Sequence, residues 1–151
     1  MPRRVRRPKD QDAVYKALKE GEPAVFETYK DILMMAACVG FKLDKRVPFE
    51  QTAEQIEWDV FSGRTDLPII NAIALKETGD VNILLEDDET FDRKFVILEE
   101  YANGGFEELK RRLLDSPGDA LDNLIALIYE QKKADSTDAE SLENMVHSLF
   151  Q

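Results

Sequence analysis

Cysteine and histidine are almost missing from this chain of 151 residues, which has one of each, Cys38 and His147. One cysteine cannot form an internal disulfide or a multi-cysteine zinc site, and one histidine leaves little for a histidine-based metal site. Cys38 lies in the apolar run MMAACVG, which predicts a buried core thiol because nothing nearby lowers its pKa. We expect no metal site and no cofactor.

Long apolar runs and phosphate-binding loops are missing as well. No stretch approaches the roughly 18 apolar residues of a membrane span, and the basic start is not followed by the apolar core of a signal peptide. The glycine pair at 104 and 105 precedes Phe106 and two glutamates, whereas a nucleotide-binding loop needs Lys and Ser or Thr there. We expect a cytoplasmic protein with no membrane partner and no nucleotide hydrolysis.

Basic residues are the minority: 20 Lys and Arg stand against 31 Asp and Glu, a formal net charge of −11. The positive charges are concentrated at the start, where five of them form what we call the N-terminal arm, residues 1–9: Arg3, Arg4, Arg6, Arg7 and Lys9. Residues 10–151 then carry 15 basic against 31 acidic residues, a balance of −16. Such a body repels a phosphate backbone on average and contacts DNA only through local basic patches.

Apolar residues recur at spacings of three and four through most of the chain, which predicts an all-α fold. We expect a basic extended arm followed by a single compact domain, residues 10–151, of six to seven short helices. Asn103, Gly104 and Gly105 are interpreted as a break between two of these helices. Residues 41–65 are the least readable part and are predicted to be irregular with a short helix.

The last predicted helix spans about residues 137–150. It begins at a capping box, Thr137 to Glu140, after the stretch KKADST, which could act as a hinge. Its apolar residues are expected to face inward: Leu142, Met145, Val146 and Leu149. This helix packs either on its own chain, which we favour, or on a second copy in a homodimer.

Two basic segments are the candidate binding sites. Pro2 and Pro8 discourage helix in the arm, which leaves its arginines extended and solvated, a form suited to a phosphate backbone or an acidic protein groove. Lys42, Lys45 and Arg46 form the second segment, the 42–46 loop. These cations either complement the dipole of the preceding helix or form one basic face with the arm.

The acidic stretch from Glu86 to Asp92 is a candidate for hard cations such as magnesium or calcium. Its spacing does not match an EF-hand loop, and a carboxylate-rich helix N-terminus is the favoured interpretation. The tripeptide ELK at residues 108–110 matches the end of a nuclease motif, but it lies in a helical stripe. An enzyme is therefore the least favoured class.

Several strings in the chain resemble a known family. They are RVRRPKDQDAVYKAL, FETYKDILMMAACVGFKLDKRVPFE, LPIINAIALKETGD, EEYANGGFEELK and PGDALDNLIALI, and they cover most of residues 3–128. The chain resembles dnd system-associated protein 4, a small accessory protein encoded beside bacterial gene clusters for DNA phosphorothioation and its linked restriction. The resemblance implies a role in anti-phage defence and carries over no catalytic residues.

Two functional hypotheses remain open. The leading one is a non-enzymatic adaptor that contacts double-stranded DNA or a DNA-bound partner through the arm and the 42–46 loop, with these residues in contact: Arg3, Arg4, Arg6, Arg7, Lys9, Lys42, Lys45 and Arg46. The alternative makes the acidic body the functional surface. It would then dock on basic protein subunits of the defence system or regulate a restriction or modification subunit by mimicking DNA.

Overall fold

The computed structural model describes residues 4–149, with the side chains of all of them except 135–142. The chain comprises two compact units, Met1–Arg111 and Arg112–Gln151. Its α-helices are α1 (Asp12–Glu20), α2 (Tyr29–Lys42), α3 (Asp66–Thr78), α4 (Asp88–Leu113) and α5 (Ala120–Leu149). Short 3₁₀ helices cover Lys9–Gln11, Trp58–Val60 and Val81–Leu84.

The all-α fold is confirmed, because the described residues form helices and only two isolated β-bridges. The helices differ from the prediction in length. Helix α4 runs without interruption through residues 103–105, and α5 runs through the expected hinge and capping box. Four of the predicted short helices are thus two long ones.

The glycines that we interpreted as a helix break lie where α4 approaches other backbone segments closely. A Cβ atom on Gly105 would lie 2.1 Å from the carbonyl oxygen of Ala36 in α2, and one on Gly40 would lie 1.9 Å from that of Tyr101. A Cβ atom on Gly104 would meet the Lys45 carbonyl oxygen at 1.8 Å. These contacts hold α4 against α2 and against the 42–46 loop, and only glycine leaves room for them.

The core of the first unit is built from the apolar faces of α1 to α4. Helix α2 is apolar nearly all round, and α4 contributes the apolar stripe that starts at Phe95. Tyr15 of α1 stacks on Phe106 with ring centroids 5.5 Å apart. The chain between α2 and α3 is irregular except for Trp58–Val60, which agrees with the prediction for residues 41–65.

In the second unit, the end of α4 is joined to the start of α5. Asp119 accepts a hydrogen bond from Leu121 N at 2.8 Å, and the Asn123 amide donates to the Leu113 carbonyl oxygen at 3.1 Å. The C-terminal part of α5 does not pack as expected, because Met145, Val146 and Leu149 are exposed. The prediction that they face inward is wrong, while the Leu142 side chain lies outside the described residues.

No helix in the described part of the chain is both long and apolar enough to cross a membrane.

Candidate functional site

The N-terminal arm is extended, as predicted, but it is packed against the first unit. Val5 exchanges two backbone hydrogen bonds with Ile56, at 2.8 and 2.7 Å, and the Arg7 carbonyl oxygen accepts one from Ala53. Val5 is fully buried, and Pro8 is buried as well. Since a strand-like segment alternates its side chains between two faces, Val5 and Arg7 both point inward. The expectation of a solvated arm is wrong for these residues.

Arg7 is the most enclosed cation of the arm, with 1 % of its surface exposed. Its Nη1 donates to Asp12 Oδ1 at 2.7 Å, and the guanidinium lies 4.8 Å from the ring of Tyr15 and 4.4 Å from that of Tyr29. The hydrogen bond from Arg7 lowers the pKa of the Asp12 carboxyl, and burial raises the pKa of the Tyr15 hydroxyl. Arg7 therefore joins the arm to α1 and α2 and does not reach a ligand.

Arg6 is bound by a buried carboxylate of α4. Its side chain donates to Glu99 Oε1 through Nε at 3.2 Å and Nη2 at 3.1 Å, and its backbone N donates to Oε2 at 2.6 Å. The Glu99 side chain is fully buried, and Arg6 supplies a positive charge that compensates its negative charge. The Arg6 guanidinium also lies 5.2 Å from the ring of Phe49, just beyond the 42–46 loop.

Arg46 of the loop is held in the same way. Its Nε donates to Glu100 at 2.7 Å and its Nη1 to Glu77 of α3 at 2.9 Å. The Tyr101 hydroxyl donates to the other oxygen of Glu77. This hydrogen bond and the one from Arg46 lower the pKa of Glu77, while burial and Glu77 raise the pKa of Tyr101 to about 12. Arg46 thus connects the loop to α3 and α4.

The arm and the loop do come together on α4, since Arg6 and Arg46 bind the neighbouring residues Glu99 and Glu100. The result is not the single basic face that we considered, because each of these arginines contacts a carboxylate of the same chain. Five predicted contact residues are exposed: Arg4, Lys9, Lys42, Lys45 and the ion-paired Arg46. Arg4 forms an ion pair with Glu57 at 2.8 Å. Arg3 lies outside the described residues.

A different exposed surface lies between α3 and α4. Every residue from Leu84 to Glu89 is exposed, and Val81 has 71 % of its surface exposed. We call Val81 and residues 84–89 the acidic apolar patch. Asp87 caps α4, because its Oδ1 accepts a hydrogen bond from Thr90 N at 2.9 Å, and this bond lowers the pKa of Asp87. The interpretation of this stretch as a carboxylate-rich helix N-terminus is confirmed.

Two potential nucleophiles, Cys38 and Lys94, are both poorly placed for catalysis. Cys38 is exposed on α2, which corrects the expectation of a buried thiol, and desolvation by the surrounding atoms raises the pKa of its thiol. Lys94 has a pKa lowered by burial, but only 1 % of its surface is exposed. Its Nζ donates to Asn71 Oδ1 at 3.0 Å and lies 4.4 Å from the ring of Phe91. A substrate has no access to this amine.

Metal-ligating side chains form no candidate group among the residues that the structure describes. In that part of the chain, no three His, Cys, Asp or Glu side chains lie together so that they could hold a metal ion.

The residues that sequence reasoning missed are the carboxylates that bind the arginines. Glu99 offered a signal, because it lies four residues after Phe95 and three before Ala102, at the spacing of the apolar residues of α4. A carboxylate on such a stripe is buried on folding and needs a cation beside it. The sequence gives no comparable signal for the other three carboxylates, Asp12, Glu77 and Glu100. Their side chains are partly exposed, and a partly exposed carboxylate does not need a cation beside it.

No curated protein and no solved structure matches the chain. A family model described as DNA sulphur modification system-associated protein 4 matches residues 4–146. The match continues in α5 beyond residue 128, where the resembling strings end, and it confirms the resemblance. The chain belongs to the DNA sulphur modification system-associated protein 4 family.

Proposed function

We propose that this protein is a non-enzymatic accessory protein that binds a basic protein subunit of the DNA sulphur modification system through its acidic surface. An accessory role in that system follows from the family. The observation that carries the choice of surface is the internal pairing of Arg6, Arg7 and Arg46 with carboxylates. Three of the predicted contact cations are used within the fold, in a chain whose net charge is −11.

The acidic apolar patch is the surface that we assign to this contact. It joins exposed apolar side chains, Val81, Leu84 and Leu85, to four consecutive exposed acidic residues, Glu86 to Glu89. Protein interfaces combine a desolvated apolar centre with a charged rim in this way, and the rim selects partners of opposite charge. The partner is therefore expected to present a basic surface around an apolar site.

The proposal includes the setting that the family implies. Because the system acts on DNA, we place the protein in the cytoplasm, as an accessory to phosphorothioation and to its linked restriction of foreign DNA. The poor placement of Cys38 and Lys94 for chemistry supports a binding role rather than a catalytic one.

The test is affinity capture of the full-length protein with the proteins of its own DNA sulphur modification system. We expect a partner that is retained at low salt and released as the salt concentration rises, because screening weakens contacts between exposed charges. The variant Glu86→Gln/Asp88→Asn/Glu89→Gln removes three charges and keeps the Asp87 cap of α4. It should lose the partner.

The matched control is Glu20→Gln/Glu22→Gln/Glu27→Gln, which removes the same charge from other exposed positions. It should retain the partner. Equal retention by both triple variants, with both folded by circular dichroism, would contradict the assignment of the patch. Failure to capture any protein of the system at low salt would contradict the proposed function itself.

Direct contact with DNA is the second candidate function, and the observation that favours it is the exposure of Arg4, Lys9, Lys42 and Lys45. In this case the variant Lys42→Gln/Lys45→Gln should weaken binding to plain and phosphorothioated duplexes alike, since both backbones carry the negative charge that a lysine neutralises. Unchanged duplex affinity in this variant rules out the 42–46 loop as a DNA contact.

A further inference from the structure

Helix α5 carries a continuous seam of the kind that forms coiled coils. Seam positions follow one another at alternating spacings of four and three residues over the whole helix: Leu121, Ile125, Ile128, Lys132, Asp135, Ala139, Leu142, Val146 and Leu149. A 4-3 repeat sustained over four heptads is typical of paired helices. Only two of the nine positions, 132 and 135, are charged, and they are adjacent in the seam.

The seam is not covered within the part of the chain that the structure describes. Leu121 is half-buried, and the other seam side chains that are described are exposed, with these fractions for the apolar ones: Ile125 45 %, Ile128 49 %, Val146 49 % and Leu149 80 %. The buried apolar residues of α5, Leu124 and Leu127, lie outside the seam. Its apolar positions therefore remain available to a partner helix.

We propose that α5 pairs with α5 of a second copy of this chain as an antiparallel coiled coil. The charged pair in the seam decides the arrangement. In a parallel pair, position 132 would face 132 and position 135 would face 135, which sets lysine against lysine and aspartate against aspartate. In an antiparallel pair, one register sets 132 against 135 twice, so that each lysine meets an aspartate of the other copy.

The same register places apolar positions opposite each other along the rest of the seam. Position 121 meets 146, position 125 meets 142 and position 128 meets 139, and each pair occurs twice by symmetry. Shifting the register by one heptad sets position 132 against 142 and leaves a charge opposite leucine. One charged layer at the centre thus fixes partner, direction and register, which is the established use of polar residues in coiled-coil seams. This inference does not depend on the partner proposed above.

Disulfide cross-linking tests the register in the full-length protein. In a Cys38→Ser background, Leu121→Cys and Val146→Cys should each stay monomeric under mild oxidation in denaturing gels, and their mixture should give a covalent dimer. Two copies of position 121 lie about 37 Å apart in the antiparallel register, at about 1.5 Å per residue. A parallel pair would instead cross-link each single variant, and no cross-linked species in any sample would overturn self-pairing.

Ala126→Cys mixed with Val146→Cys is the matched control. Residue 126 is exposed and lies outside the seam, so this mixture should not cross-link. A covalent dimer here would mean that the disulfides report random collision.

Charge exchange tests the central layer independently of cross-linking. Lys132→Glu should raise the dimer dissociation constant at least tenfold in sedimentation equilibrium, because it places like charges together. Lys132→Glu/Asp135→Lys restores opposite charges in the same positions and should recover the wild-type constant. Failure of the double variant to recover it, with its helix content unchanged, would overturn the proposed pairing.

Discussion

Replacement of Arg7 by alanine tests whether the arm belongs to the fold. The substitution removes a hydrogen bond to a carboxylate, which contributes about 1.5–3 kcal/mol. It also removes cation–π contacts with Tyr15 and Tyr29, each of about 0.5–2 kcal/mol. Against this stands the unfavourable burial of Arg7 Nε, which has no hydrogen-bond partner in the structure and costs about 1–3 kcal/mol.

The balance is a loss of about 2–4 kcal/mol in the free energy of unfolding, since Asp12 is partly exposed and regains water when Arg7 is removed. In a protein of this size, 1 kcal/mol lowers the melting temperature by about 2–4 °C. Urea and thermal unfolding followed by circular dichroism measure both quantities. Arg7→Met, which keeps most of the apolar stem, should lose less than Arg7→Ala.

Arg4→Ala is the matched control within the same arm. Arg4 is exposed and its ion pair with Glu57 joins two exposed side chains, which contributes at most about 1 kcal/mol. This variant should unfold close to wild type. If Arg7→Ala also unfolds like wild type, Arg7 does not hold the arm in place and the structural role derived for it is wrong.

Two further substitutions examine the contacts made by α4 and the 42–46 loop. Gly105→Ala should cost about 1–3 kcal/mol in urea unfolding, because its Cβ atom would overlap the backbone of α2, whereas Gly63→Ala, which has open space, should be neutral. Glu77→Gln should reduce the loss of stability in acid. The depressed pKa of Glu77 stabilises the fold above its ordinary value of 4.5, and this stabilisation disappears as pH falls through the folded-state pKa.

The helices were predictable because their apolar spacing is a local property of the chain. The ends of the helices were not predictable. Two adjacent glycines can end a helix, or they can lie inside a helix and allow another backbone segment to approach it. Gly104 and Gly105 do the second, and the residues that they approach, Lys45 and Ala36, are about 60 to 70 positions away in sequence. Only the tertiary structure decides between the two.

The candidate binding site was predictable only in part, for a related reason. Local rules identified the extended arm and the cationic loop but could not identify their partners, because Arg6 pairs with Glu99, 93 residues later. Val5, set between arginines, was the local sign that the arm has a buried face. No feature of the sequence around Cys38 predicted that this residue is exposed, because it lies in an apolar run.

The central claim is that Arg6, Arg7 and Arg46 are used within the fold and do not contact DNA. A titration of the full-length protein with duplex DNA over a range of salt concentrations tests this claim most directly. The logarithm of the binding constant falls against the logarithm of salt with a slope of about −0.9 for each phosphate neutralised. Arg6, Arg7 and Arg46 are bound to carboxylates of the same chain. The other five predicted contact cations, Arg3, Arg4, Lys9, Lys42 and Lys45, allow a slope no steeper than about −4.5. A slope near −7, which requires all eight predicted cations to reach phosphates, would contradict the account.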